Sequence, residues 1–287
     1  MKIIDKLTDG KVHISLELFP PKQNEYLTKV DELVEKLSKK EPSYISVTYG
    51  AGGGTSEKTV EIVKNIQENY NIPSLAHLSC VSSTREEVLN VIEQLKKENV
   101  NNILALRGDL PTDKEPSKDF KYASELIEEI KKHGDFCIGG ACYPEGHPEA
   151  KDIWSDIDNL KRKVDCGCEF LTTQMFFDNN IFYNFMYKIL KKGINVPVVA
   201  GIMPVVNSKQ IKRTMALSGS MFPSRFKAIV ERFGSDKESM RQAGIIYASE
   251  QIIDLIANGV NNIHIYTMNN ADTASKIMDN LSEIYRK

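Results

Sequence analysis

Short apolar, β-branched runs recur along the chain, and the stretches between them carry apolar residues at helical spacing. The runs are HISLELF (13–19), YISVTYG (44–50), SLAHLSC (74–80), NILALRG (102–108), CIGGACY (137–143), FLTTQMF (170–176), PVVAGIM (197–203) and NIHIYTM (262–268). Between them, Val30, Leu33, Val34 and Leu37, or Val88, Val91, Ile92 and Leu95, mark one face of a helix. The first seven runs begin roughly 30 residues apart, the size of a strand–helix unit. Eight such units predict a (β/α)8 barrel, whose parallel strands require crossover helices. A doubly wound open sheet is the competing architecture. Eight units, and the lack of a GxGxxG after the first strand, favour the barrel. The longer interval 204–261 has room for further helices near 208–217 and 237–258. No linker divides the chain, so one catalytic barrel over residues 1–287 is expected.

Composition narrows the class. The chain has 287 residues, 41% hydrophobic and 26% charged, which is ordinary for a soluble globular protein. Lys+Arg 37 against Asp+Glu 39 leaves a net charge of -2, so nothing points to a nucleic-acid partner. No apolar run approaches the ~18 residues of a membrane span. The N-terminal MKIIDKLTDGKVHI carries charges every few residues rather than a signal-peptide core. Cys80, Cys137 and Cys142 lie in strand-like runs, and Cys166-Gly-Cys168 lacks a second ligand pair. Structural, reduced thiols and a cytoplasmic protein are expected.

The chemistry of such barrels collects at the C-terminal ends of the strands. Here those ends carry Glu17, Thr48 and Tyr49, His77, Arg107-Gly108-Asp109, Tyr143 with Glu145 and His147, Gln174, and Tyr266 with Thr267 and Asn269. Each has a plain alternative. Glu17 can face solvent, His77 can be a hydrogen-bonded structural residue, and Arg107 and Asp109 can form a loop ion pair. Seven of eight strands carrying such groups near one end favours an active site. YGAGGGTS (49–56) can bind an anion through its backbone N–H groups, but it lacks P-loop spacing. It can equally be a loop ending in a helix cap. No lysine sits late in a strand, and Glu145, His147 and Glu149 are separated from any helix by two prolines. Organic-cofactor chemistry is therefore expected rather than a metal or a Schiff base.

LELFPPK, SVTYGAGGGTS, AHLSC, LALRGDLP, YPEGHPEA, NLKRKVDCGCEFLTTQMFFD and GIMPV occur in this order. On these segments the chain resembles the methylenetetrahydrofolate reductases of the single-domain bacterial type. The resemblance implies a flavoprotein, a barrel holding FAD, that reduces 5,10-methylenetetrahydrofolate to 5-methyltetrahydrofolate in one-carbon metabolism and methionine biosynthesis. It implies NADH or NADPH as electron donor, with nicotinamide and folate using one flavin face in turn. A homo-oligomer is expected.

Carried over by position, Glu17 becomes the acid that protonates the folate as its five-membered ring opens. The resemblance makes Asp109 the charge that stabilises the iminium. An apolar setting of Leu16, Leu18 and Phe19 would help Glu17 keep its proton. Gln174 and Gln210 become substrate contacts. The positions matching FAD contacts are Thr48, Tyr49, Ala51, His77, Arg107, Gly108, Asp109, Ala123, Tyr143, His147, Ala150, Asp156, Asn159, Arg162 and Lys163. Arg107, Arg162 and Lys163 can neutralise a pyrophosphate, while Asp156 and Asn159 can bind ribose hydroxyls. Two positions depart from the enterobacterial pattern: Asn270 stands where that enzyme has an arginine, and Thr214 where it has a phenylalanine. The departures bear on folate affinity and on the donor. Related proteins of anaerobes work with a partner subunit, which is the alternative reading.

Overall fold

The computed structural model describes residues 1–21, 27–49, 56–110, 115–209, 211 and 221–285. Eight strands form one closed barrel in chain order: β1 (His13–Leu18), β2 (Ile45–Val47), β3 (Ser74–Ser79), β4 (Asn102–Leu106), β5 (Cys137–Cys142), β6 (Phe170–Thr173), β7 (Val198–Ile202) and β8 (Asn262–Tyr266). All pairs are parallel, and β1 closes the ring on β8 with Ser15 opposite His264 and Glu17 opposite Tyr266. Closure settles the choice between barrel and open sheet.

One short helix, α1 (Ile3–Leu7), precedes β1, and helices then follow the strands: α2 (Leu27–Ser38), α3 (Ser56–Tyr70), α4 (Arg85–Lys97), α5 (Ala123–His133), α6 (Ile153–Asp165) and α7 (Asn179–Lys191). After β7 come α8 (Ser224–Phe233) and α9 (Lys237–Ala257), and after β8 come α10 (Ala271–Asn280) and α11 (Ser282–Tyr285). Sequence dictates their limits. The Thr84 hydroxyl accepts from Glu87 N while the Glu87 carboxylate accepts from Thr84 N, a reciprocal cap that opens α4. Asp152 caps α6 through Ser155 N at 2.8 Å. The helix expected near 237–258 is α9; α8 was not expected. The interval 208–217 lies largely outside the described residues.

Strand geometry sends alternate side chains to opposite faces. Ile14, Leu16 and Leu18 point outward and join the shell packed against the helices. Inside, Tyr44, Leu75, Leu104, Cys137, Phe170 and Val199 form a floor, closed from below by Ile3 and Leu7 of α1. Asn102 fastens that plug: its carbonyl oxygen accepts from Ile3 N at 2.8 Å, and its amide donates to Met1 O at 3.2 Å. With one end plugged, polar groups higher in the barrel face the opposite mouth.

Candidate active site

The alternation that places Leu16 and Leu18 in the outer shell turns His13, Ser15 and Glu17 inward. The apolar setting expected for Glu17 from Leu16 and Leu18 is therefore on the other face of the strand. Its actual surroundings are polar. Glu17 is 6% exposed, and its Oε2 faces His77 Nε2 at 3.8 Å and His264 Nε2 at 3.9 Å. Both separations exceed hydrogen-bond length, so the three groups form an open cluster rather than a bonded chain.

His77 comes from the middle of β3, opposite Leu104. Burial lowers its pKa to about 4; Glu17 pulls the other way, and His264 adds to the lowering. The ring is therefore neutral at physiological pH. Its Nε2 is buried without a hydrogen-bond partner, a polar atom aimed at Glu17. Tyr266 completes this layer. Its phenol is pushed well above the ordinary range, first by burial and then by Glu17, and it donates to Thr173 O at 2.5 Å. Gly201 permits that reach: a Cβ there would lie 2.4 Å from Thr173 O and 2.6 Å from the Tyr266 hydroxyl. Thr267 ties the strand ends by donating to Glu17 O at 2.5 Å.

On the β4–β5 side the expected cofactor positions form a connected group. Arg107 makes a bidentate pair with Glu149, both contacts at 2.7 Å, and this pairing raises its pKa while holding that of Glu149 down. Gly108 takes φ +86, which suits glycine, and Asp109 beyond it is exposed. The Tyr143 phenol is raised by burial and then by Asp109, and its ring meets His147 edge-on at 4.6 Å. The Asp156 carboxylate accepts from His147 N at 3.1 Å, and burial raises its pKa. Ala150 N bonds back to His147 O at 2.9 Å.

Two expected phosphate groups sit differently from each other. Lys163 leans inward from α6, crosses Gly140, and donates to Ala141 O at 2.6 Å. Arg162 and Asn159 lie exposed on the same helix, and Ala123 is buried at the start of α5. Thr48 and Tyr49 are half-buried at the end of β2, with Thr48 N donating to Leu18 O at 2.9 Å. The Gln174 side chain accepts from Met175 N at 2.9 Å, inside its own turn. Asn270 caps α10, its side chain accepting from Thr273 N at 3.0 Å. Ala51, Gln210 and Thr214 lie outside the described residues.

The orphaned His77 Nε2, the Arg107 fork and the polar rim around Tyr143 offer the hydrogen-bonding and cationic groups that an aromatic dinucleotide would need. Among the described residues no group of three or more His, Cys, Asp or Glu is arranged to hold a metal ion. No described helix is long and apolar enough to cross a membrane. All five cysteines are free; Cys80, Cys137, Cys142 and Cys168 are buried, and burial raises each thiol. Sequence reading missed His264 and Ser15. Their signal was the alternation in NIHIY and HISLEL, where polar residues occupy every second place.

The family described as methylenetetrahydrofolate reductase matches residues 2–282. The chain is 35% identical over 272 residues to the 5,10-methylenetetrahydrofolate reductase of Salmonella typhimurium, across 95% of this chain and 91% of that one. It is 34% identical over 303 residues to methylenetetrahydrofolate reductase (NADH) 1 of Zea mays, across 99% of this chain and 51% of that protein. Among solved structures, an uncharacterized Clostridium thermocellum protein described as binding two copies of 5-methyl-5,6,7,8-tetrahydrofolic acid superposes with TM-score 0.63. The match spans 99% of both chains at 15% identity, a likeness of fold.

Proposed function

This chain belongs to the methylenetetrahydrofolate reductase family, and from that premise we propose that it reduces 5,10-methylenetetrahydrofolate to 5-methyltetrahydrofolate with Glu17 as proton donor. The observation that carries the residue assignment is a nearly buried carboxyl at the barrel centre, facing imidazoles on two sides. In the reaction, one carbon–nitrogen bond of the folate's five-membered ring breaks with its electron pair going to nitrogen. That nitrogen takes the proton from Glu17, and the methylene carbon is left as an iminium cation. Hydride addition to the iminium completes the methyl group, and the carboxylate then regains a proton from solvent. Asp109, exposed at the mouth, supplies negative charge towards the cation.

FAD, when bound, supplies the chemistry that accepts hydride from a reduced nicotinamide and passes it to the folate. Arg107, already oriented by Glu149, can neutralise its pyrophosphate, and Lys163, with one of its three N–H donors on Ala141 O, can add charge. His77, neutral and unpartnered, can hydrogen-bond the flavin or the folate. Gln174, its oxygen held by Met175 N, offers its amide N–H groups as a substrate contact. NADH is the proposed donor, the barrel is the proposed catalytic domain, and the protein works in the cytoplasm as a homo-oligomer.

Anaerobic titration tests the reading. Purified protein should show a flavin spectrum, bleach with NADH, and recover colour on adding methylenetetrahydrofolate. A colourless protein that binds no FAD contradicts it. A flavin that resists NADH overturns the donor assignment in favour of a partner subunit.

A further inference from the structure

Beneath Glu17, on β8, lies a buried histidine with a hydroxyl against each ring nitrogen. Ser15 has one hydroxyl proton, and Ile263 O, at 3.0 Å, is placed to accept it. With that proton on Ile263 O, the 2.7 Å contact between Ser15 Oγ and His264 Nδ1 has the ring as donor. In the neutral imidazole this leaves a lone pair on Nε2, which lies 3.9 Å from Glu17 Oε2. A carboxylate is repelled by that lone pair, whereas a carboxylic acid can donate to it. Ser46 Oγ, at 3.4 Å, is the competing donor to the same nitrogen. Tyr44 stacks along the ring at 6.2 Å and Tyr266 meets it edge-on at 5.2 Å. His264 is 2% exposed, so the ring has little room to flip.

We propose that His264, held by Ser15 as its Nδ1–H tautomer, is a positioning residue that offers Nε2 to Glu17 and keeps the acid loaded and aimed at the folate. A shift of about 1 Å closes the gap to hydrogen-bond length. The inference rests on the reading of Glu17 as proton donor.

Ring nitrogen-15 shifts of histidine-labelled protein, as purified at pH 7, report the tautomer directly. The His264 signals, assigned by their loss in His264→Gln, should be pyrrole-type at Nδ1 and pyridine-type at Nε2. Ser15→Ala should mix the two forms. The reverse tautomer, or a doubly protonated ring, overturns the proposal. In stopped-flow half-reactions, His264→Leu should slow folate reduction roughly 10-fold more than flavin reduction. His264→Gln, whose amide oxygen can take the same hydrogen bond, should recover part of that loss. Equal slowing of both half-reactions in a variant with parental Tm overturns the proposal. Should His264→Leu fail to fold, Ser15→Ala and the nitrogen-15 pattern decide alone. Glu17→Gln is the control for the underlying reading. If it reduces folate at the parental rate, the reading fails. If it is impaired while folded His264→Leu is parental, only the His264 assignment fails.

Discussion

His77 links the site to stability through pH. Its folded pKa of about 4 lies below the unfolded value near 6.5, so the unfolded chain binds the extra proton between those limits. The stabilisation is complete above the unfolded pKa and is lost as pH falls towards the folded one. Between pH 7 and pH 5 this amounts to about 2 kcal/mol. His77→Gln lacks that component, so its urea midpoint should fall less than the parent's between the two pH values. An identical fall in both proteins would contradict a buried, neutral His77. Asp109 makes a different prediction. Asp109→Asn keeps shape but removes charge, and should slow folate reduction about 10-fold or more while flavin reduction changes less. Equal slowing of the two half-reactions would leave Asp109 a structural residue.

Glu17 and His77 were legible in the sequence because each interrupts an apolar strand, Glu17 near the end of β1 and His77 in the middle of β3. Their environment was not. Neighbours along a strand lie on opposite faces, so Leu16 and Leu18 say nothing about what Glu17 touches; His264 and Tyr266, on β8, do.

Among the elements, β6, β7 and β8 are locked together by Thr173, Gly201 and Tyr266. The Thr173 hydroxyl accepts from Gly201 N at 2.9 Å, while its carbonyl accepts from Tyr266. Gly201→Ala would drive a methyl group into a backbone carbonyl that cannot yield and into the Tyr266 ring. A destabilisation of roughly 1–3 kcal/mol is expected, read as a drop in Tm. An unchanged Tm would show that the barrel wall gives way more easily than its packing implies. The same strands show where element reading overran. Met175 and Phe176 continue the apolar pattern of β6, yet the strand ends at Thr173 because Met175 N bonds to the Gln174 side chain and Phe176 packs on Phe182. Apolar runs report burial, and a buried turn looks like a strand.

For the whole molecule, the N-terminal plug sets which end of the barrel can open. α1 is five residues long and has no helical repeat to announce it, so it was invisible as an element. Its Ile3 is fully buried against the floor. Ile3→Ala should cost about 2–5 kcal/mol in a denaturant titration. A loss under half a kcal/mol would mean the floor holds without its plug. Closure itself was beyond sequence periodicity, which counts strands but cannot show that the first pairs with the last. Fold and site meet at that seam, where the β1–β8 pairing carries Ser15, Glu17, His264 and Tyr266 together.

The most direct test reads one proton donor in one half-reaction. Pre-reduced Glu17→Gln protein is mixed anaerobically with methylenetetrahydrofolate, and flavin reoxidation is followed beside the parent. Loss of the acid should slow reoxidation by about 10²–10⁴, with reduction by NADH largely retained. Reoxidation at the parental rate would contradict Glu17 as the acid at the centre of this barrel.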